Sequence, residues 1–234
     1  MDKHLLLTNA LPVTREIVAA IDDADLAAPT PCADWDVRAL VGHLLHWGPS
    51  LEGAARKEAV PPGAAEAGDE WRKALTDQLD RLTDVWSVPA AWDGMTHMGG
   101  PMELPADLVG GMVLGEFVLH GWDLAGAIGR RPEWADEILQ PLLFEVARSA
   151  DQGRAMAVYA AEVPVPATAP LLSRILGLSG RNPARPWRWV TRCAGLALAL
   201  GSLGAPGDGG GGLAGPRWPA RARRALAWMI FAGT

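Results

Sequence analysis

Cysteine is scarce in this chain. Among 234 residues there are two, Cys32 and Cys193, too few for a disulfide framework, and neither sits in a Cys-x-x-Cys pair. That usage fits a reducing compartment, and the cytoplasm is the expected location. Excess positive charge is missing too. The formal net charge is -6, so the basic footprint of a nucleic-acid-binding protein is absent. No signal peptide is expected, because acidic Asp2 and the helical periodicity that continues past Leu5-Leu6-Leu7 break the required pattern. No apolar run approaches the roughly 20 residues that span a bilayer, so no membrane partner is expected. Internal repeats are not visible either.

What is present is a series of helical stripes. Leu7, Leu11, Thr14, Val18 and Ile21 recur at helical spacing, with Pro12 predicting either a kink or a helix that starts there. A second helix opens at Asp36, a good N-cap, with Trp35 placed to pack on Leu40 as a hydrophobic staple. Its apolar face holds Val37, Leu40, Val41, Leu44 and Leu45, and Gly48-Pro49 is expected to bend or fray its far end. Arg38, in its first turn, is expected to pair with a carboxylate. Trp71, Leu75, Leu79, Leu82 and Trp86 form a third stripe. A Gly- and Pro-rich loop over 88–104 leaves room for a short hairpin near Gly99-Gly100. Pro105 suits the first turn of a fourth helix. Further helices are predicted over about 134–149 and 170–178, the latter closed by Gly180.

The fourth helix carries the chemistry. In an apolar run, Glu116, His120 and Asp123 are spaced by four and three residues, which puts them on one face. Burying such groups without compensation is costly. A Glu-x-x-x-His pair alone is usually satisfied by mutual hydrogen bonding, so the reading turns on a third ligand. His43 is the other histidine centred on an apolar helical face. His46 lies toward the edge of that face, His4 near the terminus and His97 in a loop. Bundles build metal sites from inward side chains on facing helices, and His43 with Glu116 and His120 makes such a set. Asp123 is a candidate to orient a ligand imidazole rather than to bind metal itself. Cys32, Trp35, Trp47 and Trp122 are read as packing residues.

These motifs resemble a known family. Thr30-Pro31-Cys32-Ala33-Asp34-Trp35-Asp36-Val37-Arg38 with Gly42-His43-Leu44, and then Glu116-x-x-x-His120-Gly121-Trp122-Asp123-Leu124-Ala125, are similar to the paired motifs of the mycothiol-dependent maleylpyruvate isomerase-like proteins of the DinB-like superfamily. Glu162-Val163-Pro164-Val165-Pro166 and Gly180-Arg181-Asn182-Pro183 resemble a C-terminal signature of its small-bundle branch. The resemblance spans about residues 5–187. It implies an all-α, DinB-like four-helix bundle with extra C-terminal helices. It also implies a divalent metal on His43, Glu116 and His120, zinc first, with nickel, iron or manganese as alternatives. The implied partners are mycothiol, a low-molecular-weight thiol, and an electrophilic substrate of transferase or isomerase chemistry. Larger relatives carry a separate C-terminal domain that nothing after Trp187 resembles, which argues against maleylpyruvate itself. Two other readings stand beside this one: a metal-binding or sensing module without turnover, and three polar groups bonded to one another with no metal.

Residues 188–234 differ in character, with Asp208 as their one acidic residue and Gly209 to Gly212 consecutive. They are expected to form a poorly ordered tail, or to arise from a shifted reading frame.

Overall fold

The computed structural model describes residues 1–32, 35–64 and 67–185; the tail at 188–234 lies outside the described residues. Helices account for nearly all of the regular structure of the described residues, as the expected all-α bundle requires. They are α1 (Leu5–Ala19), α2 (Val37–Ala55), α3 (Trp71–Trp86), α4 (Ala106–Ala127), α5 (Asp136–Ala155) and α6 (Leu171–Leu178). The first four close a ring in the order α1, α3, α2, α4, each packing on its two neighbours. α5 lies against α4, and α6 against α5.

Each stripe faces this ring. Leu7, Leu11, Thr14, Val18 and Ile21 of the first stripe are buried, as are Trp71, Leu75, Leu79, Leu82 and Trp86 of the third. The Thr14 hydroxyl donates to the Phe117 carbonyl of α4 at 3.0 Å, which ties the two helices where their backbones approach. Asp36 caps α2 by accepting from the Ala39 N–H at 2.8 Å. A hairpin of β1 (Met95–His97) and β2 (Glu103–Pro105) forms around the expected glycines, with Thr96 opposite Leu104.

Several expectations need correction. α1 begins at Leu5 and runs through Pro12, whose ring faces solvent, so the carbonyl it leaves unpaired can turn to water. α2 does not fray at Gly48-Pro49 but continues to Ala55. The Gln78 side chain donates to the Leu44 carbonyl at 2.8 Å and the Gly63 N–H to the His46 carbonyl at 2.8 Å, supporting the turns around the proline. A side chain at Gly48 would overlap Gln78, with a Cβ 1.9 Å from its amide oxygen. α5 runs from Asp136 to Ala155, later at both ends than the pattern implied. Arg38 donates to the Ala67 carbonyl at 3.3 Å, and among the described residues no carboxylate pairs with it. α4 is long and apolar enough to cross a membrane by length and composition, although no such run was expected. Yet 78% of its most apolar window is buried inside the bundle, which marks it as the central core helix.

Candidate metal centre

α2 and α4 are neighbours in the ring, so the inward histidine of one meets the polar face of the other. His43 Nε2 lies 2.6 Å from Glu116 Oε1, and His120 Nε2 lies 3.7 Å from the same oxygen. The imidazole centroids are 5.2 Å apart, with the rings edge to face. One donor atom from each of the three residues falls within 4.8 Å of the other two. Ligands about 2.0–2.1 Å from a tetrahedral ion stand roughly 3.3 Å apart, so small side-chain shifts would seat one. The donor set of two imidazoles and a carboxylate suits zinc and similar divalent ions. His4, His46 and His97 are engaged elsewhere. His4 precedes α1, His46 meets the Gly63 carbonyl at 2.6 Å, and His97 meets the Met102 carbonyl at 3.2 Å.

Burial and charge set the protonation states. Burial lowers the His43 pKa below its ordinary 6.5, against the pull of Glu116, so the ring is neutral at neutral pH. Burial alone would raise Glu116, but the adjacent His120 and His43, with Arg181, outweigh it and hold the carboxyl at about 2. A neutral imidazole beside an ionised carboxylate donates its Nε2 proton to it. A metal would replace that proton.

Asp123 sits on the other side of His120, with Oδ2 at 3.1 Å from Nδ1. Its side chain is fully buried, and Arg181 clasps it with Nε at 3.0 Å from Oδ1 and Nη2 at 2.7 Å from Oδ2. Burial opposes the charge, yet Arg181 keeps the Asp123 pKa below its ordinary value. An ionised Asp123 can only accept, so His120 carries a proton on Nδ1 and turns its Nε2 edge toward Glu116. Cys32, His120 and Asp123 also have donor atoms within 4.8 Å of one another. That group is a poor cation site, because Arg181 already supplies the positive charge there.

Trp35 is more than a packing residue. Its ring lies 4.6 Å from that of His43 and is stacked on His120 at 6.0 Å, walling the site. Trp47 and Trp122 are core residues, as expected. The three donors open on a cavity of about 200 Å³, lined chiefly by apolar side chains such as Met98, Leu108, Met112, Leu119 and Val146. Cys32, Tyr159 and Arg181 also line it. Burial raises the Tyr159 pKa, so its phenol keeps its proton at neutral pH. Tyr159 and Arg181 had no role in the sequence reading. The one hint was that Arg181 lies in the Gly180-Arg181-Asn182-Pro183 signature.

Comparison with known proteins places these features in context. No curated protein matches the chain. Two solved structures do, a mycothiol-dependent maleylpyruvate isomerase and a point mutant of it. Each has 16% identity, a TM-score of 0.48, and coverage of 64% of this chain and 71% of the other. A family model, the mycothiol maleylpyruvate isomerase N-terminal domain, matches residues 8–125. That is just over half of the 234 residues, and it takes in His43, Glu116, His120 and Asp123 but stops short of Arg181. By that match, the chain belongs to the mycothiol maleylpyruvate isomerase N-terminal domain family.

Proposed function

We propose that His43, Glu116 and His120 hold a divalent metal, zinc in the first instance, and that the protein joins mycothiol to an electrophile in a transferase or isomerase reaction. The observation that carries this reading is the placement of three donors at the wall of a cavity. Among the described residues no fourth His, Cys, Asp or Glu completes that cluster. A structural zinc site would be closed by a fourth protein ligand, whereas a catalytic one keeps a position open.

A divalent ion with an open position supplies the positive charge that makes a thiol a thiolate at neutral pH. The chain's own residues do the rest. His43 and His120 present their Nε2 edges to Glu116, which contributes a negative charge that survives burial. Asp123 keeps the His120 proton on Nδ1, on the side away from Glu116. Trp35 and the apolar walls exclude water, so the sulfur meets the electrophile rather than solvent. In such a transfer the sulfur–carbon bond forms as a π bond of the electrophile opens or its leaving group departs, and the thiol proton goes to the product or to water; in an isomerisation the sulfur–carbon bond then breaks again and returns the thiol. We take residues 5–187 as the working unit and the reducing cytoplasm as its setting, which the cysteine usage supports.

The test combines metal content with thiol consumption. Purified protein is expected to hold one ion per chain, and His43→Ala and Glu116→Ala to lose it. Zinc-loaded protein is expected either to consume mycothiol with at least one member of a panel of electrophiles or to isomerise one only when mycothiol is present. Retention of the ion by both variants would overturn the site. Stoichiometric metal with neither mycothiol consumption nor mycothiol-dependent isomerisation across the panel would leave a binding or sensing module instead.

A further inference from the structure

We infer that Arg181 is a positioning residue that fastens the C-terminal segment onto the metal centre, so that metal binding and docking of residues 160–185 strengthen each other. This rests on the reading of His43, Glu116 and His120 as metal ligands.

The segment is built to deliver this one side chain. α6 ends in a Schellman turn, in which the Gly180 N–H reaches the Gly177 carbonyl at 3.0 Å and the Arg181 N–H the Leu176 carbonyl at 2.8 Å. Gly180 has φ +80°, and a Cβ there would lie 2.7 Å from that of Ala160, so this turn accepts only glycine. The strand-like stretch before α6 is held by the Val163 N–H on the Gly177 carbonyl at 3.0 Å. Arg154 of α5 donates to the Leu178 carbonyl at 3.0 Å and anchors the helix end. Out of this frame Arg181 enters the bundle with its side chain 10% exposed and closes its fork on the fully buried Asp123.

The chain of contacts then runs inward. Asp123 accepts from His120 Nδ1, which leaves Nε2 to face Glu116 at 3.7 Å. Without Arg181, Asp123 would be a buried charge with no cation, which burial penalises heavily, and it would not stay at His120. Orientation of a ligand imidazole by such an outer partner is typically worth 10–100-fold in metal affinity. Arg181 belongs to a segment packed outside the ring of α1 to α4, so whatever orders that segment tightens the site. By linkage, an ion at the site must order the segment in return.

The experiment uses the full chain, with zinc affinity measured by competition against a chromophoric chelator. Arg181→Met is expected to weaken zinc by about 10–100-fold. The Arg181→Met/Asp123→Asn double variant should be no weaker than Arg181→Met, because the two act through one contact chain. Arg181→Lys, which keeps the cation but not the fork, is expected to fall between wild type and Arg181→Met. In wild type, zinc should slow amide hydrogen exchange over residues 171–182, a readout that needs no variant to fold. Zinc affinity in Arg181→Met, or in Arg181→Lys should the former not fold, within twofold of wild type would overturn the inference alone. So would zinc binding that leaves exchange over 171–182 unchanged. Failure of wild type to bind zinc would remove the metal reading itself and this inference with it.

Discussion

His120 stands between two buried carboxylates, and the two keep different company. On the Nε2 side Glu116 meets imidazoles, at 2.6 Å from His43 and 3.7 Å from His120. On the Nδ1 side Asp123 is clasped by Arg181 at 2.7 Å. A guanidinium does not deprotonate in proteins, so the charge of Asp123 is cancelled permanently. Among the described residues, the charge of Glu116 is met directly by imidazoles, groups that could exchange a proton for a metal ion. A buried acid is therefore a better candidate metal ligand where no fixed cation touches it. The same logic ranks His43, Glu116 and His120 above Cys32, His120 and Asp123, which lie equally close together.

The strongest test of that contrast is to remove an acid from each side. Glu116→Gln should lower zinc affinity by on the order of 10³-fold, about 4 kcal/mol. This is roughly a third of the 10–16 kcal/mol available to a fully liganded zinc site. Equilibrium dialysis with metal analysis would read it. Asp123→Asn should lower affinity by about 10–100-fold. It should also destabilise the metal-free protein by ~3–5 kcal/mol, because Arg181 is left buried and unpaired. If the two variants cost the same in zinc affinity and in stability, the contrast drawn here is wrong.

Acid should dismantle both sides with the same sign. Folding depresses the pKa of Glu116, Asp123 and His43. Each therefore contributes stability that is present above its unfolded value and lost as pH falls through its folded value. His43 acts first, as pH drops below 6.5, because protonating a buried ring is unfavourable. The carboxylates act below the ordinary carboxylate range. For Glu116 the fall from 4.5 to about 2 corresponds to ~3 kcal/mol at most. Urea midpoints of metal-free protein should decline from pH 7 to pH 3, and Glu116→Gln should flatten the lower part of that decline. The smallest effect is expected at Cys32. Cys32→Ser should leave zinc affinity within about twofold of wild type, since the positive charge of Arg181 already occupies that side. A loss of 10-fold or more would make Cys32 a ligand.

The stripes of α1 and α3 were fully legible, because a period of 3.6 residues is written directly into Leu7 to Ile21 and Trp71 to Trp86. The cap at Asp36 was legible for the same local reason. At Pro12 and Pro49 the helices run on without ending. Whether a proline ends a helix depends on tertiary support, and beside Pro49 the Leu44 and His46 carbonyls are met by Gln78 and Gly63, from other parts of the chain.

At the site, the sequence by itself determined that Glu116, His120 and Asp123 share one face and that His43 points inward from another helix. Those are consequences of helical geometry. Only the tertiary structure decided which side of His120 faces a carboxylate already paired with a guanidinium. That depends on Arg181, which lies 58 residues from Asp123 in sequence and reaches it through a glycine turn at the end of α6. Periodicity reports which face a side chain occupies. It carries no record of which charge a remote segment will bring to that face.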